Sequence, residues 1–363
     1  MIEGLRIINF KVFDDLALDL RALTVLTGLN SAGKSTVIQA LLLTELALDA
    51  EGPHTPLGGE HGLALGEASD VLFSEAADST ISIVRVIDGR PYRTDFTVPD
   101  DRSVYLRRDR SEHPADPEIR MPVDTYLSAE RLGPRDLLEV STLDDGRLRV
   151  GHQGQFTAHV LAQRERDQIA EGMRHPATVE QDHSITLGGQ VGLWLSYIVR
   201  PVLVSATWVQ GTNAAMIRFR EPGALTPWLR PANVGFGLSY ALPICVAALA
   251  ARQRSVFIVE NPEAHLHPAG QSAMGRFLVR LAASGVQTIV ETHSDHLING
   301  IRLGIAEERT LPSDEAILHY FGVEGRTAID VTESGALSSW PQGFFDQSER
   351  DLASLAGLRG RRR

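Results

Sequence analysis

The chain has 363 residues, 43% of them hydrophobic and 22% charged, the make-up of a soluble globular protein with room for one large domain or two. Its net charge of −11 excludes a surface uniformly coated for nucleic acid, and its single cysteine, Cys245, excludes an intrachain disulfide. No uninterrupted apolar run is long enough to cross a bilayer, and the opening residues 1–6 lead into a strand pattern; a cytoplasmic, reducing location without membrane contact is expected.

Residues 5–10 and 16–20 alternate apolar and polar side chains, which places an antiparallel pair ahead of a short apolar strand, Leu23-Thr24-Val25-Leu26-Thr27. Gly28-Leu29-Asn30-Ser31-Ala32-Gly33-Lys34-Ser35-Thr36 follows, fitting G-x-x-x-x-G-K-[ST] at every fixed position, and residues 36–48 then carry apolar side chains at helical spacing. A glycine-rich turn between a strand and a helix is the context in which this motif binds phosphate. Gly28 and Gly33 permit backbone angles closed to other residues, so successive N–H groups can face an anion, and the helix start adds its dipole. Lys34 is placed for the β- and γ-phosphates and the Ser35 hydroxyl for Mg²⁺. Asn30, Ser31, Ala32, Gly33, Lys34, Ser35 and Thr36 are therefore the expected nucleotide cradle. Lys11 and Lys34 are the only lysines among 35 basic residues, which is consistent with a chemical requirement for lysine in the turn.

Beyond this helix, residues 52–59 read as an irregular loop. Residues 81–87 and 92–98 flank Asp88-Gly89-Arg90-Pro91, a hairpin signal. Residues 100–117, arginine-rich and broken by proline, read as a mobile loop, and both Arg107-Arg108-Asp109-Arg110 and the tail 359–363 read as solvated. A strand resumes at 125–129. Residues 156–170 and 192–201 are helical in pattern and form an expected α-helical insertion. Asn233-Val234-Gly235-Phe236-Gly237-Leu238-Ser239 precedes an apolar helix at 241–251; it is either an anion-receptive turn or a plain loop leading into that helix. Residues 256–290 alternate strand, helix, strand, a parallel βαβ unit.

The run Val256-Phe257-Ile258-Val259-Glu260-Asn261-Pro262-Glu263 has the shape of a Walker B strand, bringing acidic residues beside the P-loop magnesium. Glu260 is the expected metal acid with Ser35. Asn261 stands where a second acid would activate water, and an amide cannot accept that proton at neutral pH; Glu263 is a candidate substitute base. In Glu291-Thr292-His293-Ser294, His293 is placed to sense the γ-phosphate or the attacking water. Glu260, Glu263, His265, His267, Glu291, His293 and His296 also contain the residue types of a metallohydrolase, although the P-loop explains the same strand ends without a zinc cage. The expected catalytic set is Lys34, Glu260, Glu263 and His293.

These motifs, with Ser128-Ala129-Glu130-Arg131-Leu132-Gly133-Pro134, Ala264-His265-Leu266-His267-Pro268 and Trp340-Pro341-Gln342-Gly343-Phe344-Phe345-Asp346, resemble ABC-type ATPases of the RecF, SMC and OLD group over nearly the whole chain. Within it they resemble an uncharacterised family of small bacterial AAA/ABC-like ATPases. The resemblance implies an α/β P-loop NTPase of the ABC-ATPase head type, with a mixed sheet, an antiparallel β subdomain and an α-helical insertion. A single head over 1–363 is expected, with a nucleotide-binding core at 1–50 and 231–363, the β part at 51–135 and the insertion at 136–230. It further implies ATP and Mg²⁺ held in a homodimeric sandwich, where Gly235, Gly237 and Ser239 contact ATP on the opposite subunit and Leu266-His267-Pro268 lies at the seam. His293 matches the switch histidine and Glu260 the Walker B acid; Asn261 departs from the catalytic glutamate. The long coiled-coil arm of SMC proteins and an acidic nuclease domain after residue 310 are absent from the pattern. The implied function is an ATP-gated dimerising switch in phage defence or DNA maintenance, working with a separate effector protein and possible nucleic-acid contact. A regulatory scaffold that scarcely hydrolyses ATP and a metal-dependent nuclease are the competing readings.

Overall fold

Short apolar runs, four of them ending in glycine or glutamate, build most of a central sheet, and alternating runs build a second, antiparallel one. The computed structural model describes residues 1–116, 119–180, 184–341, 343–345, 351 and 354–355. In chain order the elements begin β1 (Ile2–Phe10), β2 (Phe13–Asp19), β3 (Leu23–Gly28), α1 (Lys34–Asp49), β4 (His54–Pro56), α2 (Ala68–Val71), β5 (Thr80–Ile87), β6 (Arg90–Thr97), β7 (Tyr105–Ser111), β8 (Val123–Leu127) and β9 (Leu137–Glu139). They continue as α3 (Thr157–Arg164), α4 (Ala177–Glu180), α5 (Leu187–Ile198), β10 (Leu203–Trp208), β11 (Ala214–Arg220), α6 (Phe236–Ala250), β12 (Val256–Glu260), α7 (Pro268–Ala283), β13 (Gln287–Glu291), α8 (Asp295–Leu303), β14 (Ala316–Gly322) and β15 (Gly325–Asp330).

The central sheet has the order β15-β14-β3-β13-β12-β8, parallel except for the β14–β15 hairpin. β3, β12 and β13 are buried almost throughout, as strands covered on both faces must be. Their alternating side chains feed two cores. Leu23, Val25, Phe257, Val259 and Val290 pack with α3 and α5 to α8, whereas Leu26, Val256, Ile258 and Ile289 pack with α1, β1 and β5. The second sheet, β2-β1-β5-β6-β7-β4, is antiparallel throughout. Asp88 and Gly89, at φ 49° and 71°, turn the β5–β6 hairpin with the positive angles that match strand twist.

Several expectations change. Where composition predicts a mobile loop over 100–117, the described residues 100–116 contain β7, which pairs with both β6 and β4. Its charges are matched locally: Arg107 bonds Asp109 at 2.8 Å, Arg110 bonds Glu112, and Arg108 donates to the Gly52 carbonyl at 2.7 Å. The loop at 52–59 holds β4. The segment 51–135 does not stay within the antiparallel part, because β8 joins the central sheet, while β1 and β2 from the first 50 residues join the antiparallel one. The insertion at 136–230 carries α3, α4 and α5 together with a three-stranded sheet, β10-β11-β9. α3 stops at Arg164, whose carbonyl accepts the Asp167 N–H at 2.9 Å in a turn. α6 starts at Phe236, so Gly237 and Ser239 lie in its first turns and not in a preceding loop. Gln342, Asp346 and the tail 359–363 lie outside the described residues.

Candidate functional site

β3, β12, β13 and β8 run in parallel, so their carboxyl ends bring the glycine turn, Glu260, Glu291 and residues 128–131 to one edge of the sheet, where open α/β sheets bind ligands. The turn is shaped by its neighbours. Gly28 has φ 125°, and a Cβ there would meet the Phe321 carbonyl oxygen at 2.2 Å, because β14 lies against β3 and the Leu29 N–H donates to that same oxygen at 2.9 Å. Gly33 has φ 99°, and a Cβ there would meet the Phe13 ring at 2.2 Å, where the β1–β2 turn leans on the loop. Leu29, Asn30 and Ser31 are exposed and Ala32 is half-buried. α1 begins with Gly33 as an N-cap that supplies no side-chain bond, and its first turn has no acidic residue, so its N–H groups are left to an anion.

Lys34, only 3% exposed, folds back so that Nζ donates to the carbonyls of Leu29 at 2.6 Å and Gly28 at 3.2 Å. Burial lowers its pKa, a cost that a nearby phosphate would offset. Thr36 is buried in the same turn of α1. Ser35 Oγ donates to Glu291, at 3.0 Å to Oε2 and 3.3 Å to Oε1. The carboxylate touching the P-loop serine is therefore Glu291, and not Glu260. Glu260 instead accepts the Tyr126 hydroxyl at 3.0 Å and the Ala129 N–H at 3.1 Å. Glu263 Oε1 accepts the His293 N–H at 2.9 Å. Burial raises the pKa of all three acids; for Glu291, burial and the neighbouring Glu260 push it up to about 7. Burial lowers that of His293, so its imidazole is neutral at physiological pH.

Ser35 and Glu291, with Glu260 at the end of the neighbouring strand, are oxygen donors of the kind a hard divalent cation such as Mg²⁺ takes, and the Glu291 carboxyl is raised first by burial and then by the Glu260 charge, with Lys34 and the Ser35 hydroxyl offsetting only part of it. Among the described residues no group of three or more His, Cys, Asp and Glu is disposed to hold a metal. The other histidines of the motif are used elsewhere: His265 stacks on Tyr240 and Phe236, with centroids 4.4 and 5.2 Å away, and the His267 ring accepts the Ala269 N–H at 3.4 Å at the start of α7. Asn261 takes a left-handed backbone, φ 45°, and its buried Oδ1 has no hydrogen-bond partner. Gly235 is exposed, with φ 88° and open space around it, and Gly237 is half-buried against the His265 carbonyl. The Ser239 hydroxyl turns inward, enclosed and unbonded, beside a cavity of about 20 Å³ whose lining includes Leu132, Gly154 and Pro243. Gly343 and Phe345 from the end of the chain join Leu29, His293 and Tyr320 around a cavity of about 90 Å³ next to the glycine turn.

Tyr126 and the partnership of Glu291 with Ser35 belong to no motif of the sequence. A signal for the second was present: the two strands of the βαβ unit, Val256-Phe257-Ile258-Val259-Glu260 and Gln287-Thr288-Ile289-Val290-Glu291, both end in glutamate, and they pair in register.

Fold and site together define a P-loop nucleotide-binding head of the ATPase class. The chain belongs to the family described as "AAA domain, putative AbiEii toxin, Type IV TA system", whose model matches residues 23–299. Residues 311–355 match a second family, described as a protein of unknown function (DUF3696). No curated protein matches the chain. Among solved structures, an Smc head bound to the C-terminal winged-helix domain of ScpA is similar at TM-score 0.50 and 13% identity, over 91% of this chain and 97% of that one. That likeness shows a shared head fold. An SMC head domain from Thermotoga maritima matches at TM-score 0.41 and 12% identity over 91% and 98% of the two chains. An Smc head with an extended coiled coil, bound to the C-terminal domain of ScpA and derived from Pyrococcus furiosus, matches at TM-score 0.49 and 11% identity over 99% of each. No helix among the described residues is long and apolar enough to cross a membrane.

Proposed function

We propose that this chain binds and hydrolyses ATP with Mg²⁺ and acts as an ATP-gated dimerising switch. The observation that carries the reading is the meeting of Lys34 and Ser35 with Glu291, Glu260 and Glu263 at one sheet edge, next to an uncapped helix start. In this reading the N–H groups of residues 30–36 cradle the phosphates, and Lys34 leaves its loop carbonyls to reach them. Ser35, Glu291 and Glu260 hold Mg²⁺, which when bound neutralises phosphate charge. Glu263, fixed by the His293 N–H, is the candidate base for the attacking water, and the neutral His293 ring senses the γ-phosphate.

The exposed Gly235, with Gly237, is offered to nucleotide on a second copy of the chain, and Ser239 joins them once its hydroxyl rotates outward. Such pairing is two-fold, each subunit completing the other's site. In this reading the switch works in phage defence or DNA maintenance, with a separate effector protein as its output and nucleic acid as a further contact; the family description, which names a putative AbiEii toxin, supports a defence role. The test is light scattering with and without Mg²⁺ and ATP, alongside phosphate release. A shift toward a dimer with turnover supports the reading, and a monomer at saturating nucleotide refutes the sandwich. Asn261 favours a second reading, a nucleotide-held scaffold with negligible hydrolysis, since its amide cannot act as a base; binding without phosphate release would select it.

A further inference from the structure

Arg131 is 3% exposed and lies between two motifs that the proposed function leaves unconnected inside one subunit. Nη1 donates to the Glu260 carbonyl at 2.6 Å and to the Ser128 carbonyl at 2.8 Å, and Nη2 donates to the Asn261 carbonyl at 2.6 Å. One planar fork thus fixes two consecutive carbonyls at the point where β12 ends and the backbone turns left-handed. That turn sets the direction of the chain to Glu263. The other side of the guanidinium faces the ring of Tyr240, with Cζ 5.6 Å from its centroid.

Tyr240 is four residues beyond Phe236 on α6, so the two rings share a face; their centroids lie 6.1 Å apart. Phe236 is 53% exposed and follows Gly235 directly. Both rings also pack on Gly133, where a Cβ would meet Phe236 at 3.2 Å and Tyr240 at 4.0 Å, and both stack on His265, itself left-handed at φ 61°. An exposed contact point, an aromatic pair and a buried cation therefore lie in series ahead of the carbonyls of Glu260 and Asn261.

We propose that Arg131 is a positioning residue coupling the Gly235 turn to the acidic loop: the seating of Phe236 and Tyr240 holds the guanidinium, and the guanidinium holds the loop that presents Glu260 and Glu263. The inference deepens the proposed function, since it assigns the path by which a partner at Gly235 would be felt at the acids of the same subunit. Its physical cost explains why the parts occur together. A fully buried guanidinium is expensive, and burial pushes the Arg131 pKa down to about 10, yet it stays charged at neutral pH, with the Glu263 and Glu260 carboxylates and the face of the Tyr240 ring offsetting part of the cost. Lysine would keep the charge but lacks the planar fork that meets two carbonyls and a ring at once.

The experiment uses the full chain and reads hydrogen–deuterium exchange without nucleotide, together with kcat and KM for ATP. Arg131→Lys and Tyr240→Leu should each raise exchange in residues 260–265 several-fold while leaving 287–291 unchanged, and Tyr240→Phe, which keeps the ring, should match wild type. Both disruptive variants should lower kcat about tenfold or more with KM shifted less than about threefold, and the double variant should lose no more than the worse single one, as residues acting in series do. Unchanged exchange at 260–265 in Tyr240→Leu, or equal disturbance by Tyr240→Phe, would overturn the coupling. A wild-type protein without ATP turnover would count against the proposed function alone, because exchange decides the coupling independently. Should Arg131→Lys fail to fold, Tyr240→Leu against Tyr240→Phe carries the same decision.

Discussion

Replacing Glu291 with glutamine probes the electrostatics of the carboxyl edge. The side chain is bonded to Ser35, and burial with the Glu260 charge pushes it up to about 7. An unfolded glutamate titrates near about 4.3. Because the folded value is the higher one, the group's stabilising contribution is fully present below the unfolded value and is lost as pH rises through about 7. Integrated over that window, the penalty of the ionised group is about 1 kcal/mol at about pH 5 and on the order of 3.5 kcal/mol at about pH 8.5. The Glu291→Gln variant escapes this dependence while retaining an acceptor for Ser35. With an unfolding entropy of about 2.1 cal/mol/K per residue, the difference of about 2.5 kcal/mol corresponds to roughly 3 °C in Tm. Thermal melts in a chelator, without nucleotide, should therefore show the variant gaining about 3 °C on wild type between about pH 5 and pH 8.5. With Mg²⁺ and ATP the order should invert, wild type gaining more. An equal shift at both pH values would refute the buried-carboxylate account, and an undiminished Mg²⁺ effect in the variant would remove Glu291 from the proposed metal site.

Lys34→Ala should lower ATP turnover by about 10²-fold or more, since in the proposed reading it deletes the cation that leaves the Leu29 and Gly28 carbonyls for the phosphates; isothermal titration and phosphate release check it, and unchanged values in a folded variant would reject the site. Glu263→Gln should cut hydrolysis by about 10²-fold or more while nucleotide still binds, whereas Asn261→Glu should change it little, the Asn261 side-chain oxygen being enclosed and facing no partner. Single-turnover rates decide between them: a gain in Asn261→Glu with no loss in Glu263→Gln would defeat the substitute-base idea and favour the slow scaffold.

What the sequence made legible follows from the range of the forces involved. The glycine turn and the βαβ unit are encoded by local spacing, so they could be placed from neighbouring residues alone. β7 could not, because arginine and proline content reads as a loop, whereas the strand is held by pairing with β6 and β4 and by charge matches such as Arg107 with Asp109. Arg131 stood inside a recognised motif, but its partners at Glu260 and Asn261 lie 129 and 130 residues away, and no local pattern announces them.

The choice among the three acids shows the same limit in its sharpest form. Composition allows Glu260, Glu263 or Glu291 to meet the P-loop serine, and strand order decides between them. β13 is the neighbour of β3, with Glu291 opposite Leu26, and β12 lies one strand further out. Adjacent strands are about 4.8 Å apart, so a carboxylate on the second strand starts nearly 10 Å from the β3 axis. A side-chain hydrogen bond closes at about 3 Å. The acid at the end of β13 therefore reaches Ser35 directly, and Glu260, held off by one strand, is anchored instead by the Tyr126 hydroxyl and the Ala129 N–H.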